Sequence, residues 1–331
     1  MNKESIKMSN SSINLPITIA ISVSLLTGLY SIRKWMSYKN HLKYTQPSLQ
    51  YEIIKDNVSE KKTYTRTILI TGGNGFLGTY IVQGLLAKKD VRIVVFDIII
   101  PNQENRIPGV IYIKGNLLNI EHIKQSLSFD GPYSIASVIH VASLVPYLGV
   151  PDSATYAINV NGTANLIEAV KEYTSIKSLI YTSSATVVLD KYERNAVGLV
   201  EQQGVYPKNH LDVYTTTKEA AEKLVLGVTD NSGESLVTCA LRPAAIFGKG
   251  DKLLSDHHVA HIDAVVTGEG EVKFDWVSVE SVAYAHILAE EVLSTGASIN
   301  ARVEEKEKRR LLSGQVYFIG NNICVYIYIE L

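Results

Sequence analysis

Cysteine is scarce: Cys239 and Cys324 are the two in a chain of 331 residues. Two distant thiols exclude a disulfide scaffold and any four-cysteine zinc site, and they suit a reducing compartment. An excess of one charge is also lacking, since 32 Lys and Arg stand against 33 Asp and Glu, a formal −1. That balance argues against a protein whose main work is neutralising phosphate backbone, so no nucleic-acid partner is expected. Only one long uncharged apolar stretch occurs, which excludes a multi-span membrane protein. No repeat or low-complexity segment stands out. With 46 % hydrophobic and 20 % charged residues the chain can build a globular core, and its length suggests about two domains.

The one apolar stretch lies at the start. No charge occurs from Met8 to Ser31, and Ile13 to Ile32 form the apolar part. A helix of about 20 residues spans roughly 30 Å, the thickness of bilayer hydrocarbon. Pro16 sits near its beginning, where a helix tolerates proline. The favoured reading is a tail (1–12) followed by an uncleaved anchor (13–32). A cleaved signal peptide or an amphipathic or buried helix are the alternatives. Arg33, Lys34, Lys39 and Lys43 outweigh Lys3 and Lys7, which places the body in the cytosol by the positive-inside rule. Asn57-Val58-Ser59 would carry sugar if the body were lumenal. Residues 33–64 read as a polar linker with at most one short helix.

Beyond Thr65 short apolar strands alternate with helical patterns. Strands are expected at 66–70, 91–97, 110–113, 137–141, 178–182 and 237–241. Helices are expected from Phe76, over about 154–173, and over 213–226. This order predicts an α/β fold, a Rossmann-type doubly wound parallel sheet covered on both faces. It assigns 65–250 to a dinucleotide-binding domain and 251–331 to a small substrate lobe.

Thr71-Gly72-Gly73-Asn74-Gly75-Phe76-Leu77-Gly78 joins the first of these strands to its helix. Such a turn lets bare backbone approach a pyrophosphate at a helix N-terminus. Asp97 ends the next strand, where a carboxylate can hold adenosine ribose hydroxyls and repel a 2′-phosphate. Ile98-Ile99-Ile100 follow, with no Arg for such a phosphate, so NAD is favoured over NADP.

Tyr214 and Lys218 stand at i and i+4 and share one helix face. An ammonium beside a phenol favours the phenolate and makes Tyr a usable base. Upstream, Thr182-Ser183-Ser184-Ala185 closes a strand at the sheet edge where ligands of this architecture bind.

In this order the chain resembles an extended short-chain dehydrogenase/reductase. The glycine loop, Asp97, Asn159-Val160-Asn161-Gly162-Thr163, the Ser184 segment, Tyr214/Lys218 and Leu241-Arg242-Pro243 carry the likeness. Val138 to Ser143, Phe247 to Asp251, Phe274 to Ala289 and Gly314 to Ile319 resemble the 3β-hydroxysteroid dehydrogenase and sterol-4α-carboxylate 3-dehydrogenase branch. The resemblance implies oxidation of a steroid or sterol 3β-hydroxyl with NAD, with loss of CO₂ where a 4α-carboxylate is present. It implies Tyr214 as base, Lys218 as the group that lowers its pKa and binds the nicotinamide ribose, Ser184 on the substrate oxygen, and Asn159 in the proton relay. Gly72, Gly75, Phe76, Leu77, Gly78, Asp97, Asn116, Leu117, Ala142, Tyr214, Lys218 and Pro243 would line the cofactor. Asn116 stands where the family often has Asp. An endoplasmic-reticulum membrane anchor suits a sterol substrate. The family usually continues further past the Tyr317-Phe318-Ile319 strand, so a curtailed lobe is expected here. The oligomeric state, a homodimer included, is left open.

Two other functions remain in view: a sugar-nucleotide epimerase or dehydratase, and a tethered NAD-binding protein with little catalysis. His257, His258 and His261 read as a surface or core-edge cluster, with no metal expected. Glu304 to Arg310 read as a solvated face, and Cys239 as core. His140 reads equally as packing near the nicotinamide or as purely structural.

Overall fold

The computed structural model describes residues 50–55, 64–128, 134–145, 150–192, 199–201, 206–251, 273–298, 300–321 and 324–326. The expected anchor, Asn57 and the His257/His258/His261 cluster lie outside them. Among the described residues no helix is long and apolar enough to cross a membrane.

Eight strands form one sheet. They are β1 (Glu52–Lys55), β2 (Arg66–Thr71), β3 (Val91–Asp97), β4 (Val110–Lys114), β5 (Ile135–His140), β6 (Ser178–Thr182), β7 (Val237–Pro243) and β10 (Gln315–Ile319). Their order is β1-β4-β3-β2-β5-β6-β7-β10. All neighbours are parallel except β1, which pairs antiparallel with β4. The central strands are apolar throughout because both faces are covered. Ile68 and Ile70 point into one core and Leu69 into the other.

The first core is closed by α1 (Phe76–Leu86) and α6 (Val279–Thr295), the second by α2 (Ile120–Leu127), α4 (Gly162–Lys171) and α5 (Val213–Leu226). Strand order reverses between β2 and β5. A crevice for ligands opens at such a switch point, beyond the C-terminal strand ends.

Three expectations need correction. The linker 33–64 contains β1, which nothing local announces. An edge strand takes its order from the free N–H and C=O groups of its neighbour. The helix expected over 154–173 is α3 (Asp152–Tyr156), a π-turn (Ala157–Asn161) and α4 in succession. Of the chain past 251, the described α6 and β10 are not set apart from the first domain. Val279, Val282, Ala283, Ile287 and Leu293 of α6 fill the same core as α1, and β10 joins β7. Outside that sheet lies a small one of β8 (Ala245–Phe247), β9 (Lys273–Ser278) and β11 (Cys324–Tyr326).

The charge run at Glu304 forms most of α7 (Val303–Leu312). Its outer pairs, Lys308 with Glu304 and Arg310 with Glu307, are exposed as expected. Arg309 departs from that expectation. It is 1 % exposed and donates to the carbonyls of Leu293, Gly233, Lys177 and Ser235, pinning α7 to the sheet's N-terminal edge. Its long stem packs as an apolar rod while the fork satisfies carbonyls. Cys239 is buried core, and burial pushes its thiol up to about 12.

Candidate active site

The crevice begins with backbone. Gly72 has φ +70°, in the left-handed region that favours glycine. A Cβ there would lie 2.7 Å from both Cα and N of Ala142 across the switch point. Gly78 sits on the inner side of α1, where a Cβ would lie 2.7 Å from Gly73 Cα and closer still to the Gly72 carbonyl oxygen. Gly75 opens α1 and donates its N–H to Gly72 O at 3.0 Å. Side chains cap α2, α5 and α6, from Asn119, Asp212 and Ser278, but none caps α1 and no acid lies in its first turn. First-turn N–H groups have no intrahelical acceptor, so this end presents bare donors and a positive dipole end. Phe76 is half-buried and Leu77 is core, and what the first turn of α1 offers a ligand is its backbone N–H groups.

Asp97 ends β3 beside this loop. Its carboxylate accepts from Asn74 N–H and Ile99 N–H, each at 3.1 Å. Burial raises its pKa, and the backbone donors pull it back down. Asn116 is buried, and its Oδ1 accepts Leu118 N–H at 2.9 Å. That oxygen is therefore shared with a local turn. Leu117 packs on Gly162, and its carbonyl accepts from Asn165. Pro243 ends β7, buried, on the same sheet edge.

The other side of the crevice is built from side chains. Lys218 is 1 % exposed, and its ammonium donates to Thr182 O at 2.5 Å, 4.4 Å above the Tyr181 ring. Burial lowers its pKa to about 7, opposed by the Glu222 charge one turn on. Glu222 is itself held by Arg242, at 2.6 Å and 3.0 Å, and by the Tyr206 hydroxyl at 2.6 Å. Tyr214 opens the same helix, partly exposed. Its charge adds to burial in raising the Tyr181 phenol well above its usual value. The 3₁₀ turn Ala185–Val188 packs against α5 and brings Ser184 to this edge. Ser184 Oγ accepts Thr186 N–H at 3.2 Å and lies 2.8 Å from Thr186 Oγ1. Asn159, in the π-turn, exchanges bonds with Leu144: Oδ1 accepts its N–H at 2.7 Å and Nδ2 donates to its O at 3.0 Å.

A match to the 3-beta hydroxysteroid dehydrogenase/isomerase family covers residues 69–331. The chain belongs to that family. Among its relatives, 3beta-hydroxysteroid-dehydrogenase/decarboxylase isoform 1 of Arabidopsis thaliana is 32 % identical over 286 residues, 80 % of this chain and 59 % of that one. The decarboxylating sterol-4-alpha-carboxylate 3-dehydrogenase of Candida albicans is 32 % identical over 276 residues, 80 % of this chain and 72 % of that one. The chain thus spans 59 % and, for the second Arabidopsis isoform, 45 % of the plant relatives' length. The dTDP-glucose 4,6-dehydratase of Bacillus anthracis, solved with NAD, shares the fold: TM-score 0.58, 21 % identity, over 78 % of this chain and 76 % of that one.

Several buried polar residues beside the candidate site were not singled out from the sequence. Thr71, Thr163, Thr217, Thr182 and His286 form buried hydrogen bonds behind the crevice. The signal for the four threonines is a hydroxyl recurring beside motif residues; His286 has none. His140, left between two readings, is core: its nitrogens meet Thr71 and Thr163, and burial lowers its pKa to about 3.

Proposed function

We propose that the protein is an NAD-dependent oxidoreductase acting on the 3β-hydroxyl of a steroid or sterol, a 4α-carboxysterol with decarboxylation included. The observation that carries it is the union at one sheet edge of the uncapped, glycine-lined mouth of α1 and the Tyr214–Lys218 row of α5. Family membership and the relatives' names supply the substrate class.

NAD fits what is present. The missing Cβ atoms at Gly72 and Gly78 let the loop close on Ala142 and on α1, Gly75 is exposed at the mouth, the α1 amides suit a pyrophosphate, and the Asp97 carboxylate suits ribose hydroxyls. Gly72, Gly75 to Gly78, Asp97 and Ala142 would hold it, with Asn116, Leu117 and Pro243 along the same edge. Bound there, it supplies the acceptor for the carbinol hydrogen and its electron pair.

The chain's own residues handle the proton. Tyr214 takes it from the substrate hydroxyl at its phenol oxygen. Lys218, held in a dry pocket, stabilises the phenolate by its charge, which falls off less there than in water. Thr186 N–H already occupies one lone pair of Ser184 Oγ. The Ser184 hydroxyl keeps a hydrogen that it can give to the substrate oxygen. Asn159 fixes the loop at 144 beside the site. After oxidation a 4α-carboxylate is β to the new ketone and leaves as CO₂, its bond pair passing into an enolate that takes a proton at C4, with no metal required.

Residues 13–32 would tether this body to the endoplasmic-reticulum membrane with the catalytic part cytosolic. The hydrophobic substrate and the basic residues from Arg33 to Lys43 support that placement. The test incubates full-length protein with NAD⁺ and a 3β-hydroxysterol or a 4α-carboxysterol, scored for NADH and CO₂. Turnover that Tyr214→Phe abolishes is expected. Turnover of a nucleotide sugar alone, or tight NAD binding without any turnover, would overturn the reading.

A further inference from the structure

Behind the crevice runs a chain of buried hydrogen bonds whose polarity can be assigned link by link. Thr163 Oγ1 lies 2.6 Å from Asn159 O, which can only accept, so Thr163 donates there. His140 Nε2, 2.9 Å from the same hydroxyl, must then carry a hydrogen and donate it. In a neutral ring Nδ1 is left bare, and it accepts the Thr71 hydroxyl at 2.6 Å. The Thr71 oxygen in turn accepts Ala142 N–H at 3.3 Å. The glycine loop and the π-turn are therefore joined through a neutral histidine.

The chain continues from the Asn159 side chain. Leu144 offers an N–H to Oδ1 and a C=O to Nδ2, which settles the orientation of the amide. The remaining Nδ2 hydrogen goes to Thr217 Oγ1 at 3.1 Å. Thr217 donates its own hydrogen to Tyr214 O at 2.8 Å, so it can only accept from Asn159. Asn159 and Thr217 are both buried. Asn159 is thus gripped at its carbonyl by Thr163 and at its amide by Thr217. The π-turn places that amide between the loop after β5 and the first turn of α5.

We propose that Thr217 is a positioning residue for proton transfer at Tyr214, locking the first turn of α5 through Asn159 to the loop at Leu144. The proposal rests on the reading of Tyr214 as the base. Thr217 touches neither substrate nor cofactor in it. Its hydroxyl joins the Asn159 amide to the backbone carbonyl of Tyr214. Removing the hydroxyl while keeping the shape leaves a buried Nδ2 donor without its acceptor. Asn159 then rotates to recover a partner, and both Leu144 and the α5 turn are released.

The test compares Thr217→Val with Thr217→Ser in the full chain in detergent. In the NAD-free protein, amide exchange of Leu144 and of residues 214–218 should run about tenfold faster in the Val variant and stay near parental in the Ser variant. In turnover, Thr217→Val should lower kcat about 30-fold with the NAD Kd within about threefold, since small misplacement of a reacting group costs rate rather than binding. Should the Val variant not fold, Thr217→Ala removes the same hydroxyl without a new methyl clash and is read in the same way. Parental exchange and kcat in the hydroxyl-free variant, or a Ser variant as impaired as Val, would overturn the proposal. Parental turnover in Tyr214→Phe would instead overturn the base assignment. The exchange result separates the two failures because it needs no turnover.

Discussion

The two walls of the crevice are made of different material. On the β2 side the surface is backbone: glycines stripped of Cβ, first-turn amides of α1 and a single carboxylate at Asp97. On the β6 side it is side chain: Lys218, Ser184, Asn159 and the buried hydroxyls and imidazoles behind them. Backbone recognition depends on excluded volume, which is all or none. Side-chain recognition depends on hydrogen-bond polarity, which fails by degrees. The first wall should therefore break abruptly and the second gradually.

The sharpest break is Gly78→Ala. The added methyl would meet Gly72 O and Gly73 Cα, and neither is the movable end of a side chain. The N-terminus of α1 must move away from the loop. NAD affinity should fall by about 100-fold or more, close to 3 kcal/mol. Titration of intrinsic fluorescence with NAD checks this. A loss under about threefold would show that the wall yields.

The contrast also decides what was legible beforehand. Glycine spacing, a strand-end acid and an i, i+4 Tyr–Lys pair are local patterns, and residues 71–78, 97, 214 and 218 stand on the turn, strand end and helix that those patterns imply. Helix α5 spans the expected Val213–Leu226 for the same reason. His140 could not be decided, because its partners Thr71 and Thr163 lie 69 and 23 residues away. Thr217 carries no local signal between Tyr214 and Lys218, since its buried partner Asn159 lies 58 residues upstream. The edge strand β1 and the return of β10 to the sheet likewise depend on pairing partners far along the chain. Arg309 was read as one more surface charge because nothing in a run of Glu, Lys and Arg tells which side chain turns inward.

A smaller effect probes the charged side chain on the backbone wall. Asp97→Asn keeps the shape but turns an amide group toward two backbone N–H donors, Asn74 and Ile99. One oxygen acceptor and the negative charge are lost together. NAD affinity should drop by roughly tenfold, about 1.4 kcal/mol, while NADP affinity holds or improves because repulsion of a 2′-phosphate is gone. Parallel titrations with both dinucleotides measure the ratio. An unchanged NAD/NADP ratio would remove Asp97 from cofactor selection.

The gentlest test falls on the polar wall, through pH. His286 donates from Nδ1 to Val282 O and accepts the Thr182 hydroxyl at Nε2, 2.7 Å away. Burial, with the nearby Lys218 charge, lowers its pKa to about 4, and His140 lies at about 3. Unfolded, both titrate near 6.5. Between those values the unfolded chain binds more protons than the folded one, so stability falls as pH drops below about 6.5. Lys218 acts in a separate window. Its folded pKa of about 7 lies below the unfolded value, so its contribution to stability rises with pH from about 7 to about 10.5. Urea midpoints of the parent should decline from pH 6.5 to 4.5. His286→Gln keeps a donor and an acceptor but no titrating ring, so its decline should be shallower, while its slope above pH 7 should match the parent. Equal slopes in the acid range would mean that the imidazole is not held neutral. The Thr182 hydroxyl, whose carbonyl receives Lys218, would then be oriented by something other than His286.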